Sequence, residues 1–223
     1  WACWKTYLGR PETDQLRDPA MNLLGVGLSA TDHHEDALSV REAHLSLVRR
    51  LGASEENMLA LQANLATTYR ALGRLSQALS LRRDVYSATL KLLGQDHRDT
   101  LLEANNYAGL LLRLERCEEA KPVIRNTYPV AQRVLGGGDE ILLRMRMNYA
   151  HMLCTDANAT LGDLREAVTT LEDAEQTARR VLGGAHPLTG DIELMLQQSR
   201  EVLRLSELEA SVDLSALRAA LDE

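Results

Sequence analysis

Leu93-Gly94-Gln95-Asp96-His97-Arg98-Asp99-Thr100 is the stretch on which the reading turns, because a version of it returns at intervals along the chain. Its Leu-Gly pair stands at 51, 93, 135 and 182, giving spacings of 42, 42 and 47 residues. Self-similarity at such a period is the mark of a repeat array, in which each unit buries its apolar face only by stacking on the next. A second motif keeps the same period. Asn64-Leu65-Ala66, Asn106-Tyr107-Ala108 and Asn148-Tyr149-Ala150 are again 42 apart, and Asn22-Leu23-Leu24 falls one period earlier.

The residues between seams read as two helices. Leu61, Leu65, Tyr69 and Leu72 recur at helical spacing. Gly73-Arg74 ends that helix A, and from Ser76 the residues Leu79, Leu81, Val85, Leu90 and Leu93 make a helix B with apolar contacts on more than one side. Gly94 then supplies the left-handed position of a C-cap, and Asp96 or Asp99 caps the next start. The predicted organisation is a single array over residues 1–223. It holds a truncated repeat at 1–9 with Leu8-Gly9 as its seam, repeats at about 10–52, 53–94, 95–136 and 137–183, and a degenerate repeat with a capping helix at 184–223.

The opening at Trp1 is thus read as a cut inside an array. Gly25 and Gly27 weaken the first helix A. The five extra residues of the fourth repeat fall in Thr155 to Thr160, a polar insertion between its two helices. In the last repeat Met195 replaces the repeated Asn. Pro187 opens a helix running to about Arg204, and Ser211 or Asp213 caps a short final helix carrying Leu214, Leu217 and Leu221.

Composition narrows the function. Of 223 residues 45% are hydrophobic, with no Phe, so Leu, Ala, Val and Met must fill the core. A net charge of −7 argues against nucleic acid and anionic membranes as partners. There is no apolar run of membrane-spanning length. Cys3, Cys117 and Cys154 are odd in number and dispersed, which fits a reducing cytoplasmic setting and not a disulfide framework.

Asn64-Leu65-Ala66-x-x-Tyr69, followed by Gly73 and Ala78, resembles the tetratricopeptide repeat. The 42-residue period and the seam Leu-Gly-x-x-His-Pro-x-Thr resemble the kinesin light chain type of that repeat. Leu182-Gly183-Gly184-Ala185-His186-Pro187-Leu188-Thr189 carries the seam in full, and Leu93 to Thr100 has Arg98 in place of Pro. The resemblance implies an all-α, right-handed superhelical solenoid of antiparallel helix pairs whose A helices line a concave, peptide-binding surface.

No chemistry competes with that reading. His33-His34-Glu35-Asp36 lies at a turn without a His-x-x-x-His partner, so no metal site is expected. His97 and His186 share one seam position, which points to structural hydrogen bonding. Gly136-Gly137-Gly138 lacks both the phosphate-loop spacing and a preceding strand. No nucleophile motif or catalytic carboxylate pair is present. The chain is therefore read as no enzyme, with no cofactor and no small-molecule substrate.

Matching the Asn-Leu-Ala frame to the resemblance assigns the concave rows. They are Ala60, Ala63, Thr67, Arg70 and Ala71; Leu102, Asn105, Gly109, Leu112 and Arg113; and Arg144, Met147, His151, Cys154 and Thr155. Peptide contacts are expected from Arg70, Thr67, Asn105, Leu112, Arg113, Arg144, Met147 and His151. Asn64, Asn106 and Asn148 either reach a peptide backbone or tie neighbouring helices, since an amide both donates and accepts. The expected role is a scaffold or adaptor that binds an extended acidic-hydrophobic peptide, in line with the Trp-plus-acidic motifs of kinesin light chain ligands. The alternatives are a regulatory array of a larger signalling ATPase and a spacer or dimerisation module.

Overall fold

The computed structural model describes residues 11, 13, 14 and 16–221, with side chains as far as Ser211. The truncated repeat at 1–9, Cys3, the Asp213 cap and the side chains of Leu214, Leu217 and Leu221 lie outside that description. All regular structure among the described residues is helical: α1 Arg17–Ala30, α2 His34–Arg50, α3 Glu55–Ala71, α4 Leu75–Leu93, α5 Arg98–Arg113, α6 Cys117–Val134, α7 Glu140–Thr155, α8 Leu161–Val181 and α9 Pro187–Leu221. This is an all-α helical repeat fold. Helices A are α1, α3, α5, α7 and α9, and helices B are α2, α4, α6 and α8.

The helices group into two units, one ending at Gly94 and one starting at Gln95. In the first, α2 packs against both α1 and α3, and α3 against α4. In the second, α5, α7 and α9 lie side by side in one layer, with α6 bridging α5 and α7 and α8 bridging α7 and α9. The B helices share one anchor. Ala37, Ala78, Ala120 and Ala167 are each 0% exposed, because only a methyl group fits where helix A crosses.

One turn further along, α6 and α8 bury Ile124 and Leu171, while α2 and α4 bury Arg41 and Arg82 at the same place. The Arg41 guanidinium donates to the Asn64 carbonyl at 2.8 Å and to Thr68 Oγ1, and burial lowers its pKa. His44, also buried, contacts Asp18 of α1 through Nε2 at 2.7 Å. The first unit thus holds α1 partly through polar contacts, and a buried polar group contributes little net stability beyond satisfying its own desolvation.

Turns between A and B helices follow one pattern. After α3, Gly73 N–H donates to the Arg70 carbonyl and Arg74 N–H to that of Tyr69, a Schellman motif with Gly73 at φ 72°. The same two bonds close α5, from Glu115 to Leu112 and from Arg116 to Leu111, and close α1, from Asp32 to Ser29 and from His33 to Leu28. There the positive φ falls on Glu115, at 58°, and on Asp32, at 60°.

The seams depart from expectation in three places. Gly52, Gly94 and Gly183 take positive φ, but Gly136 does not. Leu135 is extended after α6, and the Gly136 carbonyl turns the chain by accepting from Asp139 N–H. Gly94 has φ 85° but ψ 170°, so it leaves the helix extended and not left-handed helical, in a region only glycine populates. The cap of α5 is His97, whose Nδ1 accepts from Asp99 N–H at 3.2 Å, and neither Asp96 nor Asp99 takes that role. His186 Nδ1 repeats this bond with Leu188 N–H at 3.3 Å.

α9 also differs: it runs unbroken to Leu221 instead of stopping near Arg204. No glycine or proline follows Gly190, and α8 supports the helix as far as Glu207. Arg179 pairs with Glu193, Glu172 with Arg200 and Arg165 with Glu207, a ladder spaced by seven residues on both antiparallel helices. Each exposed rung is worth less than about 1 kcal/mol, but together they fix register past Arg204.

The insertion at 155–160 leaves α7 and α8 intact and is anchored to α6. Lys121 Nζ meets Asp156 at 2.9 Å, and Thr160 forms a capping box with Asp163 at the start of α8.

Candidate functional site

The repeated asparagines settle how A helices meet. Asn148 Nδ2 donates to Asn105 Oδ1 at 2.8 Å and to the Asn105 carbonyl at 3.2 Å, joining α7 to α5. Gly109 makes the room: a Cβ there would sit 3.2 Å from Asn148 Nδ2. In the first unit Asn64 Nδ2 reaches Asn22 Oδ1 at 3.5 Å, joining α3 to α1 in a weaker form of the same tie. Between α7 and α9 the tie is Cys154 Sγ donating to Ser199 Oγ at 3.5 Å. Burial raises the Cys154 pKa, which favours the neutral thiol that this hydrogen bond uses.

Two expected contact residues lie inside the protein. Leu112 is 3% exposed and Asn105 is 7% exposed. Leu112 is a core residue of α5, and the Asn105 amide is engaged by Asn148, so neither offers its side chain to a ligand. Leu102, Gly109 and Arg113 of the same row do reach the surface, but α5 packs against both α6 and α7 and buries the arc that holds Asn105 and Leu112.

The other residues of the second unit do reach one surface. Arg113 is exposed at the end of α5 and makes no ion pair among the described residues. Arg144 is exposed on α7 and lies 3.8 Å from Glu140, a long, solvated contact. Met147 and His151 follow at one-turn steps and are half-buried. Burial lowers the His151 pKa, which keeps the ring neutral near pH 7. Asn106 is half-buried.

In the first unit, Arg70 is exposed in the last turn of α3. Thr67 is half-buried, and its hydroxyl accepts from Arg82 at 2.6 Å while donating to the Ala63 carbonyl. Thr67 is therefore a structural hydroxyl more than a free donor.

The sequence frame missed one large contributor. Leu194, on α9, is 57% exposed. The same count that puts Met195 where Asn148 stands in the previous repeat puts Leu194 at the place of Met147, so the signal was present. Asp191, one turn earlier, is exposed at the place of Arg144.

Among the described residues no group of three or more His, Cys, Asp or Glu side chains could hold a metal ion, and no helix is long and apolar enough to cross a membrane. The cavity among α5, α6 and α7, lined by Asn105, Thr127, Tyr128 and Asn148, measures about 10 Å³, room for a single water at most. The arrangement offers solvated cations and apolar side chains on a layer of A helices.

This geometry can be set beside known proteins. Residues 58–99 match the tetratricopeptide repeat. That match covers all but the first three residues of helix A, the Gly73 turn, helix B and the seam through Asp99. Among solved structures the chain is similar in fold to the kinesin light chain-type, nearly identical TPR-like repeats from Podosopora anserina, with 20% identity, a TM-score of 0.69 and coverage of 91% of this chain and 93% of that one. It is also similar to BtubC (BKLC) from P. vanneervenii, at 15% identity, TM-score 0.70 and coverage of 99% and 87%. No curated protein matches the chain. Tetratricopeptide folds generally serve as scaffolds for protein interactions, and the helix pairs, the Asn ties and the seams place this chain among such repeat folds.

Proposed function

We propose that the chain is a non-catalytic scaffold that binds an extended acidic-hydrophobic peptide across the A helices of its second unit. The observation that carries this reading is the pairing of solvated arginines with accessible apolar surface. Arg113 and Arg144 project from neighbouring helices that Asn148 and Asn105 hold together, and Met147 stands one turn from Arg144 at the place equivalent to the exposed Leu194 of α9. Guanidinium groups suit bidentate capture of carboxylates, and methionine adapts to varied apolar shapes. Arg70 is proposed separately as an exposed cation on the A helix α3 of the first unit. Residues His151 and Met147 give the ligand a neutral, adaptable floor.

Solvated ion pairs are individually weak, so binding is expected at about micromolar affinity and should weaken as salt screens it. Titration of a fluorescent acidic-Trp peptide into the parent protein and into an Arg113→Glu/Arg144→Glu variant tests the proposal. Loss of binding in the variant and at high salt is the expected result. Equal binding by both proteins would remove the arginine face from consideration.

A further inference from the structure

The A-helix layer of the second unit changes charge from one helix to the next. Arg144 of α7 and Asp191 of α9 occupy equivalent places, and so do Met147 and Leu194 one turn on. Arg144 and Asp191 are both exposed, and Asp191 makes no ion pair among the described residues. The other acids of α9 nearest this row, Glu193 and Glu201, are held by Arg179 and Arg204. Passing from α7 to α9, a ligand therefore meets the cation Arg144 and then the carboxylate Asp191, with the apolar pair Met147 and Leu194 one turn along the same two helices.

From this order we infer that the face selects a peptide of alternating character, acidic, then bulky and apolar, then basic, with the basic residue held by Asp191. The inference rests on the peptide-binding reading above and adds polarity and direction to it. Its spacing follows from helix geometry. Packed helix axes lie about 8–10 Å apart, and an extended chain advances about 3.3 Å per residue, so acid and base should stand about three residues apart. The side chain between them lies over Met147 and Leu194. A ligand laid the other way would place like charges together, which is a barrier to reversed binding.

Two labelled peptides test this on the full chain: one with an acidic residue, a Trp and a Lys at that spacing, and one with Gln in place of the Lys. The parent is expected to bind the Lys peptide about three- to fivefold more tightly, the size of effect one exposed ion pair gives. Asp191→Asn should abolish that difference while leaving the Gln peptide unchanged, and Leu194→Ala should weaken both peptides. Equal binding of the two peptides by the parent, or a difference that survives in Asp191→Asn, would overturn the inference while the binding face stands. Binding of neither peptide would overturn the face and the inference together.

Discussion

Asn148 and Asn105, 43 residues apart, share two hydrogen bonds between α7 and α5, at 2.8 and 3.2 Å, over a glycine that leaves space for the amide. A residue repeated for architecture thus sits next to the face expected to bind. Replacing Asn148 with Leu removes both bonds and leaves the Asn105 acceptors short of a donor, which should destabilise the second unit by about 1–3 kcal/mol. Gly109→Ala should be milder, since the Asn148 side chain must give by a few tenths of an ångström. Chemical denaturation of the two variants checks the order.

The A-to-B turns yield a prediction of opposite sign. Glu115 holds φ 58° at the place where Gly73 holds 72°. A left-handed conformation costs a non-glycine residue about 1–2 kcal/mol, partly offset in a Glu115→Gly variant by the greater freedom of its unfolded chain. Glu115→Gly should therefore stabilise by about 0.5–1 kcal/mol, and Gly73→Ala should destabilise by about 1 kcal/mol. Thermal melts of both report the signs.

At the seam, Gly94 has φ 85° and ψ 170°. A β-branched residue is excluded there by its own backbone, so Gly94→Val should destabilise by about 1–3 kcal/mol, while Gly136→Ala, which needs no positive φ, should be near neutral. Identical melting of Gly94→Val and parent would mean that the seam is not built on this conformation.

Tyr149 predicts a pH dependence. Its hydroxyl donates to Glu166 at 2.7 Å, its ring stacks on Tyr128 with centroids 4.6 Å apart, and burial, followed by the Glu166 bond and charge, pushes its pKa up to about 12. The folded state holds this proton more tightly than the unfolded state. Its contribution to stability is therefore full below pH 10 and is lost as pH rises from about 10 through about 12. Burial also raises Tyr69, Tyr86 and Tyr128, so ultraviolet titration should show several late-titrating tyrosines, with a component lost in Tyr149→Phe and shifted down in Glu166→Gln.

Much of this fold was legible because it repeats. The Leu-Gly seams, the Gly73 turn and the place of the 155–160 insertion follow from a 42-residue count alone. What escaped was information that a linear pattern does not carry. Glu115 and Asp32 gave no hint by residue type, since neither is glycine; the positive φ belongs to the Schellman turn that each closes. Gly136 looks like its counterparts, yet with two more glycines after it the chain can turn without a left-handed residue. Ser211 read as a cap, but it lies inside α9, where its hydroxyl donates to the Leu208 carbonyl. Leu112 and Asn105 were placed on the surface because a period identifies a helix face only to within about one residue, roughly 100° of arc. Leu194 was legible from the same count that located Met195, but the loss of the repeated Asn led the last repeat to be read as degenerate and left off the face.

The central claim, that ligand meets the A-helix face of the second unit, is tested most directly by methionine methyl NMR. Met145 and Met152 are buried on α7, whereas Met147 on the same helix is half-buried at the proposed face. Titrating an acidic-Trp peptide into protein labelled at its six methionine methyls should shift the Met147 resonance saturably and leave Met145 and Met152 nearly still. An unmoved Met147 at saturating peptide would contradict the account.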